Sequence, residues 1–583
     1  MLKRQIIIIF LLCGLFVQQA FAQKAVENFK PVTQEMLENP APEDWLMFSR
    51  TYDAQRYSPL DQINKKNVSK LQLAWSRGIG SKGEVQSIPL VYNGAMYVLG
   101  PEGVILALDA AKGDLLWQYE REMEDAEKSR ARARSKNLAI FENMIISTAP
   151  DNFLIALNAQ TGELIWETKV DGGQQSAGPI VMNGIVVSGR ACEGRKRESC
   201  FIAGHDARTG KELWKFQNIP AMGEPGSETW GNSPTHDNNT ASTWGLSGSY
   251  DPKNNLVLWG IANPVPNTRG DRHGGDATGT GFSSPADLYS NSTVALVPET
   301  GELKWYYQHL PGDDWDMDYT NERVLVQTRI NPDPKHVKWI NEAARGQVRD
   351  VTVMMGEGGG IFVNDRGTGE FLWATPYPFD TEHFVLSDID TKTGQTFINK
   401  DVVLNEPGEQ HLICYWNTVS YWPTAYSPRT NSLYATYIDN CLDMTRSKEG
   451  QPERRMRGTR PGFDLEKSNG LAKINLETGE ILFFNQSPRP STGGMLTTAG
   501  GVVFNGDLYR YFRAFDDETG EKLWETRLGG PPTVSTITYG VNGKQYVAVI
   551  TAFNFASMSL VGMMSVPDYI RDHFAVYVFA LGE

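Results

Sequence analysis

One pattern of apolar and polar positions recurs along most of the chain. Each copy has a short apolar run, usually an Asp or Asn, a turn containing Gly, and an aromatic residue soon afterwards. Glycine provides the positive φ of a tight hairpin, the Asp or Asn side chain can accept bonds from the turn, and the aromatic is placed to pack flat on the neighbouring repeat. The seven copies, identified by glycine and aromatic, are Gly113 with Trp117, Gly162 with Trp166, Gly210 with Trp214, Gly301 with Trp305, Gly369 with Trp373, Gly479 with Phe483 and Gly520 with Trp524.

The spacing of these copies predicts a β-propeller. Successive glycines are separated by 49, 48, 91, 68, 110 and 41 residues. The shorter intervals fit one four-stranded blade, and the longer ones leave room for an extra blade or large loops. An incomplete copy lies near Leu73-Ala74-Trp75. The sequence therefore predicts an all-β fold, an eight-bladed β-propeller with Trp-docking repeats, with seven blades as the alternative count.

Residues 215–294 and 306–350 carry most of the sequence that does not repeat. In a propeller such insertions lie on one face, above the central channel. The second insertion contains Asp313-Asp314-Trp315-Asp316-Met317-Asp318, in which four carboxylates fall within six residues. Because a core strand cannot bury four unpaired carboxylates, this stretch predicts a loop where acids hold a cation or accept a proton. The alternative is an acidic surface turn.

Residues 1–22 have the features of a secretory signal peptide. Lys3 and Arg4 precede an apolar run from Ile6 to Val17, and Ala20-Phe21-Ala22 offers a cleavage site after Ala22. Residues 23–583 are then expected to form a single propeller domain. We expect the mature protein in the periplasm, without membrane insertion, because no later apolar run approaches membrane-spanning length.

The net charge narrows the classes of partner, and the cysteines narrow the possible disulfides and cofactors. The net charge of −14 argues against nucleic acid and anionic membranes as partners. The four cysteines beyond the signal peptide suggest two disulfides, Cys192–Cys200 closing a short loop and Cys414–Cys441 a longer one. No Cys-x-x-Cys-His segment occurs, which predicts a cofactor set without covalent haem.

Several motifs together resemble the pyrroloquinoline quinone (PQQ)-dependent alcohol dehydrogenases, from about residue 40 to the C-terminus. They are Trp45 with Arg56-Tyr57-Ser58-Pro59-Leu60, Thr243-Trp244-Gly245 followed by Tyr250-Asp251-Pro252, Asn263-Pro264, and Trp315-Asp316-Met317-Asp318. The resemblance implies an eight-bladed propeller that holds PQQ and one metal ion on its axis. It also implies a structural disulfide between Cys414 and Cys441.

The resemblance assigns roles to individual residues. It implies Glu193, Asn263 and Asp316 as metal ligands, with Asp316 also the catalytic base. Asp318 occupies the position of the acid that marks lanthanide-using members, so a lanthanide is suggested, with Ca²⁺ as the alternative. Hard oxygen ligands of this kind suit Ca²⁺ or a lanthanide rather than zinc or copper.

The remaining implied roles concern the quinone. PQQ would lie on Trp244 with Thr243 beside it, and the polar groups around it would be Gln86, Lys136, Ser176 and Arg190. The sequence departs from the family in three places. There is no adjacent-cysteine disulfide to cover the quinone, Gln86 replaces a common Glu, and the loop Met355–Gly360, from which a basic residue usually reaches the quinone, reads Gly356-Glu357-Gly358-Gly359-Gly360. The missing cover suggests a roomier entrance, for bulkier alcohols.

Each candidate also has a plainer structural interpretation. Asp316 could cap a loop, and Glu193 could be one charge among its many charged neighbours. Asn263 could start a turn before Pro264. Trp244 could be a core residue, and the side chain of Lys136 could simply be solvated.

The function expected from these residues is PQQ-dependent oxidation of an alcohol to the aldehyde. Hydride would pass to the quinone, Asp316 would act as general base, and Ca²⁺ or a lanthanide would act as Lewis acid. Electrons would leave through a separate soluble cytochrome c or similar periplasmic carrier, and a homodimer is left open. The alternative is a non-catalytic envelope propeller that binds partner proteins.

Overall fold

The computed structural model describes residues 23–123, 135–174, 176–231, 235–273, 281–380, 383–414, 419–439, 441–447, 452–456, 460–553, 566 and 569–582. The predicted signal peptide, residues 1–22, lies outside these residues. Within the described part of the chain, no helix is both long and apolar enough to cross a membrane.

Eight sheets form the blades of the propeller, here numbered in chain order, and all are antiparallel except that Tyr57–Ser58 pairs parallel with a strand of blade 7. The predicted count of eight is confirmed, and the alternative count of seven is wrong. Blade 1 contains Leu90–Tyr92, Ala95–Leu99, Ile105–Asp109 and Leu115–Tyr119, and blade 2 contains Ala139–Phe141, Met144–Thr148, Phe153–Asn158 and Leu164–Lys169. Blade 3 contains Gly178–Met182, Ile185–Gly189, Phe201–Asp206 and Glu212–Gln217. Blade 4 contains Ser249–Asp251, Leu256–Gly260, Ser292–Leu296 and Leu303–Gln308.

Blades 5 and 7 each have a fifth strand, and blade 8 takes its outer strand from near the N-terminus. Blade 5 contains Val324–Arg329, Val348–Met355, Ile361–Asp365, Phe371–Thr375 and Trp339–Ile340, and blade 6 contains Ala425–Ser427, Ser432–Ile438, Asn469–Asn475 and Ile481–Ser487. Blade 7 contains Leu496–Thr498, Val502–Gly506, Tyr511–Asp516, Lys522–Arg527 and Tyr57–Ser58. Blade 8 contains Ile537–Val541, Lys544–Thr551, Ala575–Leu581 and Leu71–Gly78. Because Leu71–Gly78 pairs with Ala575–Leu581, the two ends of the chain close the ring.

Short helices and two small sheets lie between the blade strands. Among the described residues, the α-helices are Gln34–Glu38 and Arg269–Arg272. The 3₁₀ turns are Val68–Lys70, Pro101–Gly103, Arg197–Ser199, Ser227–Trp230, His236–Asn238, Glu342–Ala344, Lys400–Val402 and Leu465–Lys467. The small sheets are Leu386–Ile389 with Thr396–Ile398, and Gln410–Cys414 with Cys441–Arg446 and Pro452–Met456.

The first strand of each blade is its innermost strand, apart from the added strand Tyr57–Ser58 of blade 7. In blade 2, for example, Ala139–Phe141 is fully buried, whereas residues of Leu164–Lys169 are exposed or half-buried. Every segment that leads into a first strand therefore reaches the central channel from the same face, here called the upper face.

Tryptophans of blade 8 and blades 1 to 4 pack on the turn glycine of the next blade, as predicted, whereas Gly479 of blade 6 is covered by Val337 instead of the predicted Trp373. A Cβ on Gly162, where φ is +77°, would lie 2.7 Å from the Trp117 ring, so only glycine fits beneath it. The indole Nε1 of Trp117 also donates to the carbonyl of Ala159 at 3.1 Å. The same contact pairs Trp75 with Gly113, Trp166 with Gly210, Trp214 with Gly301, and Trp305 with Gly369.

Blade 6 departs from the predicted docking. Phe484, rather than the predicted Phe483, covers Gly520 of blade 7, and a Cβ there would lie 2.6 Å from the Phe484 side chain. Successive residues of a strand point to opposite faces, so only one of the two rings can reach the next blade. Phe483 instead packs against Tyr437, with ring centroids 4.7 Å apart.

Residues 45–58 run through the channel and close it below the upper face. They bond to the innermost strand of six blades, which satisfies backbone groups that would otherwise line an open edge. The bonds are Trp45 N to Val91 O, Tyr52 Oη to Val181 O, Tyr250 N to Tyr52 O, Leu325 N to Asp53 O, Tyr426 N to Gln55 O and Thr497 N to Arg56 O, at 2.6–3.2 Å.

Arg56 fixes this segment at the centre of the ring. Its guanidinium is fully buried and donates to the carbonyls of Met495 at 2.7 Å, Phe48 at 3.1 Å and Thr536 at 2.5 Å. Burial lowers the pKa of Arg56 to about 9, and the charge of Glu322 opposes that shift. One side chain therefore joins the channel segment to blades 7 and 8.

Arg56→Ala should weaken the propeller, because three buried carbonyls lose their donor. We expect the free energy of unfolding to fall by about 3–5 kcal/mol, measured by denaturant unfolding of the whole chain. The exposed Arg208→Ala is the matched control and should change stability by less than about 1 kcal/mol. Equal unfolding midpoints for the two variants would show that Arg56 does not anchor the ring.

Candidate active site at the upper mouth of the channel

Side chains from opposite blades meet at the upper mouth of the channel. Lys136 leads into blade 2, Trp244 into blade 4 and Tyr421 into blade 6. The Lys136 Nζ lies 5.1 Å from the Trp244 ring centroid and 5.4 Å from that of Tyr421. Blades 2 and 6 are opposite each other in a ring of eight, so these contacts place the group close to the axis.

Asn263 bridges two carboxylates of the predicted acidic loop. Its backbone N–H donates to Asp318 Oδ1 at 3.0 Å, and its side-chain Nδ2 donates to Asp316 Oδ1 at 2.9 Å. The other oxygen of Asp318, Oδ2, accepts the indole N–H of Trp244 at 2.6 Å. The structure thus brings together Asn263, Asp316, Asp318 and Trp244, four residues that sequence reasoning had selected.

The electrostatics of Asp318 are those of a crowded, buried acid. Burial raises its pKa well above the ordinary value, and the negative charges of Glu357 and Asp316 raise it further. The N–H groups of Asn263 and Trp244 oppose the rise, because they stabilise the charged form. A cation beside these carboxylates would act in the same direction as those N–H groups.

Asp313 shapes the loop that presents Asp316. Its carboxylate accepts the backbone N–H of Trp315 at 2.6 Å and of Met317 at 2.8 Å, and it accepts Asn291 Nδ2 at 2.9 Å. Asp316 between them has φ of +67°, in the left-handed region that a side chain rarely adopts. Asp313 is thus a structural acid, a role that the sequence signalled only as an Asp two residues before Trp.

A buried ion pair ties this loop to the segment that carries Asn263. Arg269 donates from Nε to Asp314 Oδ2 at 2.7 Å, and its backbone N–H donates to Oδ1 at 2.6 Å. Further along the same segment, Arg272 Nε donates to Asp287 Oδ2 at 2.9 Å, and His273 Nε2 contacts Asp287 Oδ1 at 2.9 Å. Two buried ion pairs therefore hold the backbone on which the bridge of Asn263 depends.

The predicted cofactor residues fall into three sets, distinguished by their hydrogen-bond partners. Lys136 Nζ and Ser176 Oγ both donate to the carbonyl of Trp244, at 2.7 and 3.2 Å. Arg190 is fully buried, and its backbone N–H donates to Thr243 Oγ1 at 2.6 Å. Gln86 is buried in the segment leading into blade 1 and donates to Glu84 at 3.3 Å.

Glu193 is exposed, unlike the other predicted ligands, which are buried or half-buried. Its side chain is 60% exposed and lies 3.8 Å from Lys196 Nζ.

The disulfide Cys192–Cys200 closes the loop around Glu193, and Cys414–Cys441 joins two strands of a small sheet, so both predicted disulfides are confirmed. Within the described ranges, no three His, Cys, Asp or Glu side chains are grouped to hold a metal; the group at the channel mouth is two carboxylates and an amide.

Sequence reasoning missed Glu357 as part of this group. It lies in the turn between the second and third strands of blade 5, on the upper face, and its backbone N–H donates to the carbonyl of Asp318 at 2.9 Å. Gly356 and Gly358 flank it and pack on the Tyr319 ring, where a Cβ would lie 2.5 and 2.8 Å from ring atoms. The run of glycines was the signal that this backbone passes close to another group.

Comparison with known proteins agrees with this geometry. The family model described as "PQQ: Glucose/ethanol/alcohol dehydrogenase, beta-propeller domain" matches residues 45–377 and 472–547. The chain belongs to this family of PQQ-dependent alcohol dehydrogenases. The resemblance seen in the sequence motifs is thereby confirmed.

Three relatives illustrate the range of this family. The quinohemoprotein alcohol dehydrogenase ADH-IIG of Pseudomonas putida is 28% identical over 584 residues, covering 93% of this chain and 77% of the relative. The dehydrogenase subunit of the alcohol dehydrogenase (quinone) of Acetobacter aceti is 28% identical over 608 residues, covering 93% and 75%. A solved europium-containing methanol dehydrogenase has a TM-score of 0.78 and 25% identity, covering 94% of this chain and 100% of that one.

These relatives correct one prediction about this PQQ-dependent alcohol dehydrogenase. The lack of a Cys-x-x-Cys-His segment led to a predicted cofactor set without haem. A relative that matches 93% of the chain is named a quinohemoprotein, so the family includes haem-carrying enzymes and the exclusion of haem does not stand. PQQ itself is supported by the family match.

Asp287→Asn should destabilise the enzyme, because it leaves Arg272 buried without its carboxylate. We expect a loss of about 3–5 kcal/mol near neutral pH. Burial raises the pKa of Asp287, but Arg272, His273 and Arg269 together lower it below the ordinary value of 3.8. Its stabilisation is therefore present above that value and is lost as the pH falls through the lower, folded-state pKa.

The measurement is denaturant unfolding of wild type and Asp287→Asn at about pH 5 and about pH 3. The gap between them should be large at the higher pH and narrow at the lower one. The exposed Asp61→Asn serves as control and should follow wild type at both. A gap that widens on acidification would contradict the assigned direction.

Proposed function

We propose that this enzyme oxidises an alcohol to the aldehyde by hydride transfer to PQQ, with Asp316 as general base and a Ca²⁺ or lanthanide ion as Lewis acid. The observation that carries the proposal is the Asn263 bridge, which holds the carboxylates of Asp316 and Asp318 together under Trp244 at the channel mouth. A non-catalytic propeller has no use for buried carboxylates brought together at such a cost in desolvation.

The residues around Trp244 fit a flat, anionic quinone. When bound, PQQ supplies the two-electron acceptor that no protein side chain offers. The ring of Trp244 is half-buried and provides a surface for stacking, with the Lys136 ammonium 5.1 Å from it. The buried Nη2 of Arg190 has no hydrogen-bond partner among the described residues, so it is a donor suited to an oxygen of the cofactor.

Asp316 is suited to take the hydroxyl proton of the alcohol. It is half-buried, whereas Asp318 is buried, so a substrate entering from the upper face meets Asp316 first. The Asn263 amide donates to Asp316 Oδ1 and fixes the orientation of the carboxylate. The alcohol O–H would donate to this carboxylate, which accepts the proton as the hydride leaves the carbon.

The cation would be held by Asp316, Asp318 and the Asn263 side-chain oxygen. These are hard oxygen donors, and the second carboxylate helps offset the charge of a trivalent ion. The europium content of the related methanol dehydrogenase supports a lanthanide as one of the two candidates. For Glu193 to serve as a further ligand, its side chain would have to turn from Lys196 toward the ion.

Electrons would leave through a separate carrier, such as a soluble cytochrome c. The related Acetobacter protein is a dehydrogenase subunit, which supports a division of labour between dehydrogenase and carrier. Export to the periplasm, with cleavage after Ala22, agrees with the N-terminal sequence of the chain.

Adding PQQ with Ca²⁺ or La³⁺ to the purified enzyme should give a quinone absorbance and alcohol-dependent dye reduction. Asp316→Asn should keep the absorbance but lose turnover by about 100-fold or more, because it can no longer accept a proton. Asp61→Asn should behave as wild type. Full turnover in Asp316→Asn would remove Asp316 as the base, and no turnover with either metal in wild type would contradict the proposed reaction.

Asp318→Ala should lower La³⁺-supported turnover more than Ca²⁺-supported turnover. The physical reason is that the removed carboxylate interacts more strongly with a trivalent ion, since Coulomb energy scales with the ion's charge. The measurement is the ratio of the two turnover rates, each at a saturating metal concentration, in wild type and variant. A ratio that stays at the wild-type value would show that Asp318 does not favour the lanthanide.

A further inference from the structure

The carboxylate of Glu357 is held beside Asp318 by contacts from two blades. Its Oε2 accepts the backbone N–H of Asp318 at 3.3 Å, while its own N–H donates to the Asp318 carbonyl at 2.9 Å. The hydroxyl of Ser420, in the segment leading into blade 6, donates to Oε1. Glu357 is buried, so its charge acts at short range with little screening by solvent.

The turn that carries Glu357 is fixed independently of the acids. Tyr319 donates its hydroxyl to the carbonyl of Gly359 at 3.2 Å. Gly356 and Gly358 lie against the same ring, as described above. Ser420 is held in turn by Asn321, whose Nδ2 donates to its carbonyl. The position of Glu357 is therefore set by the scaffold rather than by the flexibility of a surface loop.

Glu357 increases the negative charge around the bridged carboxylates. Its Oε2 lies 3.3 Å from the backbone N of Asp318, and Asn263 bonds to the carboxylates of both Asp318 and Asp316, so three acids share one region at the channel mouth. Grouping like charges away from water is unfavourable unless a cation compensates them. The Lys136 ammonium near Trp244 and Tyr421 offsets part of this negative charge, and a trivalent ion offsets more of the remainder than a divalent ion does.

We propose that Glu357 determines the charge of the cation that this site selects, favouring a trivalent ion over a divalent one. This inference rests on the proposed function, because it assumes the cation held by Asp316, Asp318 and Asn263. Glu357 acts from behind Asp318, through its charge, and is not assigned as a direct ligand. Its oxygens accept the backbone N–H of Asp318 and the hydroxyl of Ser420, which hold its charge in place behind the proposed ligands.

The charge of the ion provides a quantitative test. The attraction between a fixed carboxylate and a cation is proportional to the cation's charge, so neutralising Glu357 should cost a trivalent ion 1.5 times the binding free energy that it costs a divalent ion. If Glu357→Gln weakens Ca²⁺ binding about 10-fold, La³⁺ binding should weaken about 30-fold. Glu357→Asp keeps the charge and should retain most of the wild-type preference.

The experiment measures cation affinity directly, by calorimetric titration of the PQQ-loaded full chain with Ca²⁺ and with La³⁺ after removal of bound metal. Terbium emission excited through tryptophan, in the full chain without PQQ, reports binding next to Trp244, whose Nε1 lies 2.6 Å from Asp318. Glu342→Gln is the matched control, because Glu342 is an exposed glutamate paired with Arg345 on the surface.

The outcomes separate this inference from the function on which it rests. A larger loss for La³⁺ than for Ca²⁺ in Glu357→Gln, absent from Glu357→Asp and Glu342→Gln, supports the proposal. An equal loss for both ions, or no loss, overturns it while the proposed cation site stands. If wild type binds neither ion, the cation of the proposed function fails, and this inference fails with it.

Discussion

Two carboxylates held side by side in a poorly solvated place are the constraint on which the site depends. Asp316 and Asp318 repel each other, and burial of Asp318 removes the water that would otherwise stabilise its charge. The surrounding structure compensates with directed N–H groups, two from Asn263 and one from Trp244. Such an arrangement persists only where the backbone around it cannot relax.

That rigidity comes from layers of contacts behind the acids. Asp313 accepts the N–H groups on both sides of Asp316, and Arg269 pairs with Asp314 while its own segment begins near Asn263. Below them, the channel segment 45–58 bonds to the innermost strands of six blades and closes the ring from inside. A site built in this way holds its charges in place before any ligand arrives, which lowers the cost of reorganisation during the reaction.

Membership of the PQQ-dependent alcohol dehydrogenases explains the propeller fold of this chain. The details of the site depend on the chain's own residues. The solved methanol dehydrogenase shares the fold across 94% of this chain at 25% identity, which shows how little of the sequence the propeller requires. In this chain, tryptophans docked on glycines join five pairs of neighbouring blades. Among the acids discussed, Glu357 is buried, whereas Glu193 is exposed.

Much of the architecture was determined by local sequence. The recurring glycine and tryptophan predicted blades, because only glycine adopts the turn's positive φ and leaves room for an indole ring of the preceding blade. The acidic insertion pointed to Asp316 and Asp318, and the resemblance of the motifs to the PQQ-dependent alcohol dehydrogenases added Asn263 and Trp244. Both disulfides followed from the cysteine count and positions.

Only the tertiary structure decided the rest, because it depended on which distant segments meet. Phe484 rather than Phe483 reaches blade 7, since strand register sets the face to which each ring points. The four acids of one loop divide into two structural residues and two at the channel mouth, according to the partners that other blades supply. The place of Glu357 beside Asp318 depends on a contact between a turn of blade 5 and the segment that leads into that blade, 39 residues apart in sequence, and no local pattern encodes such a contact.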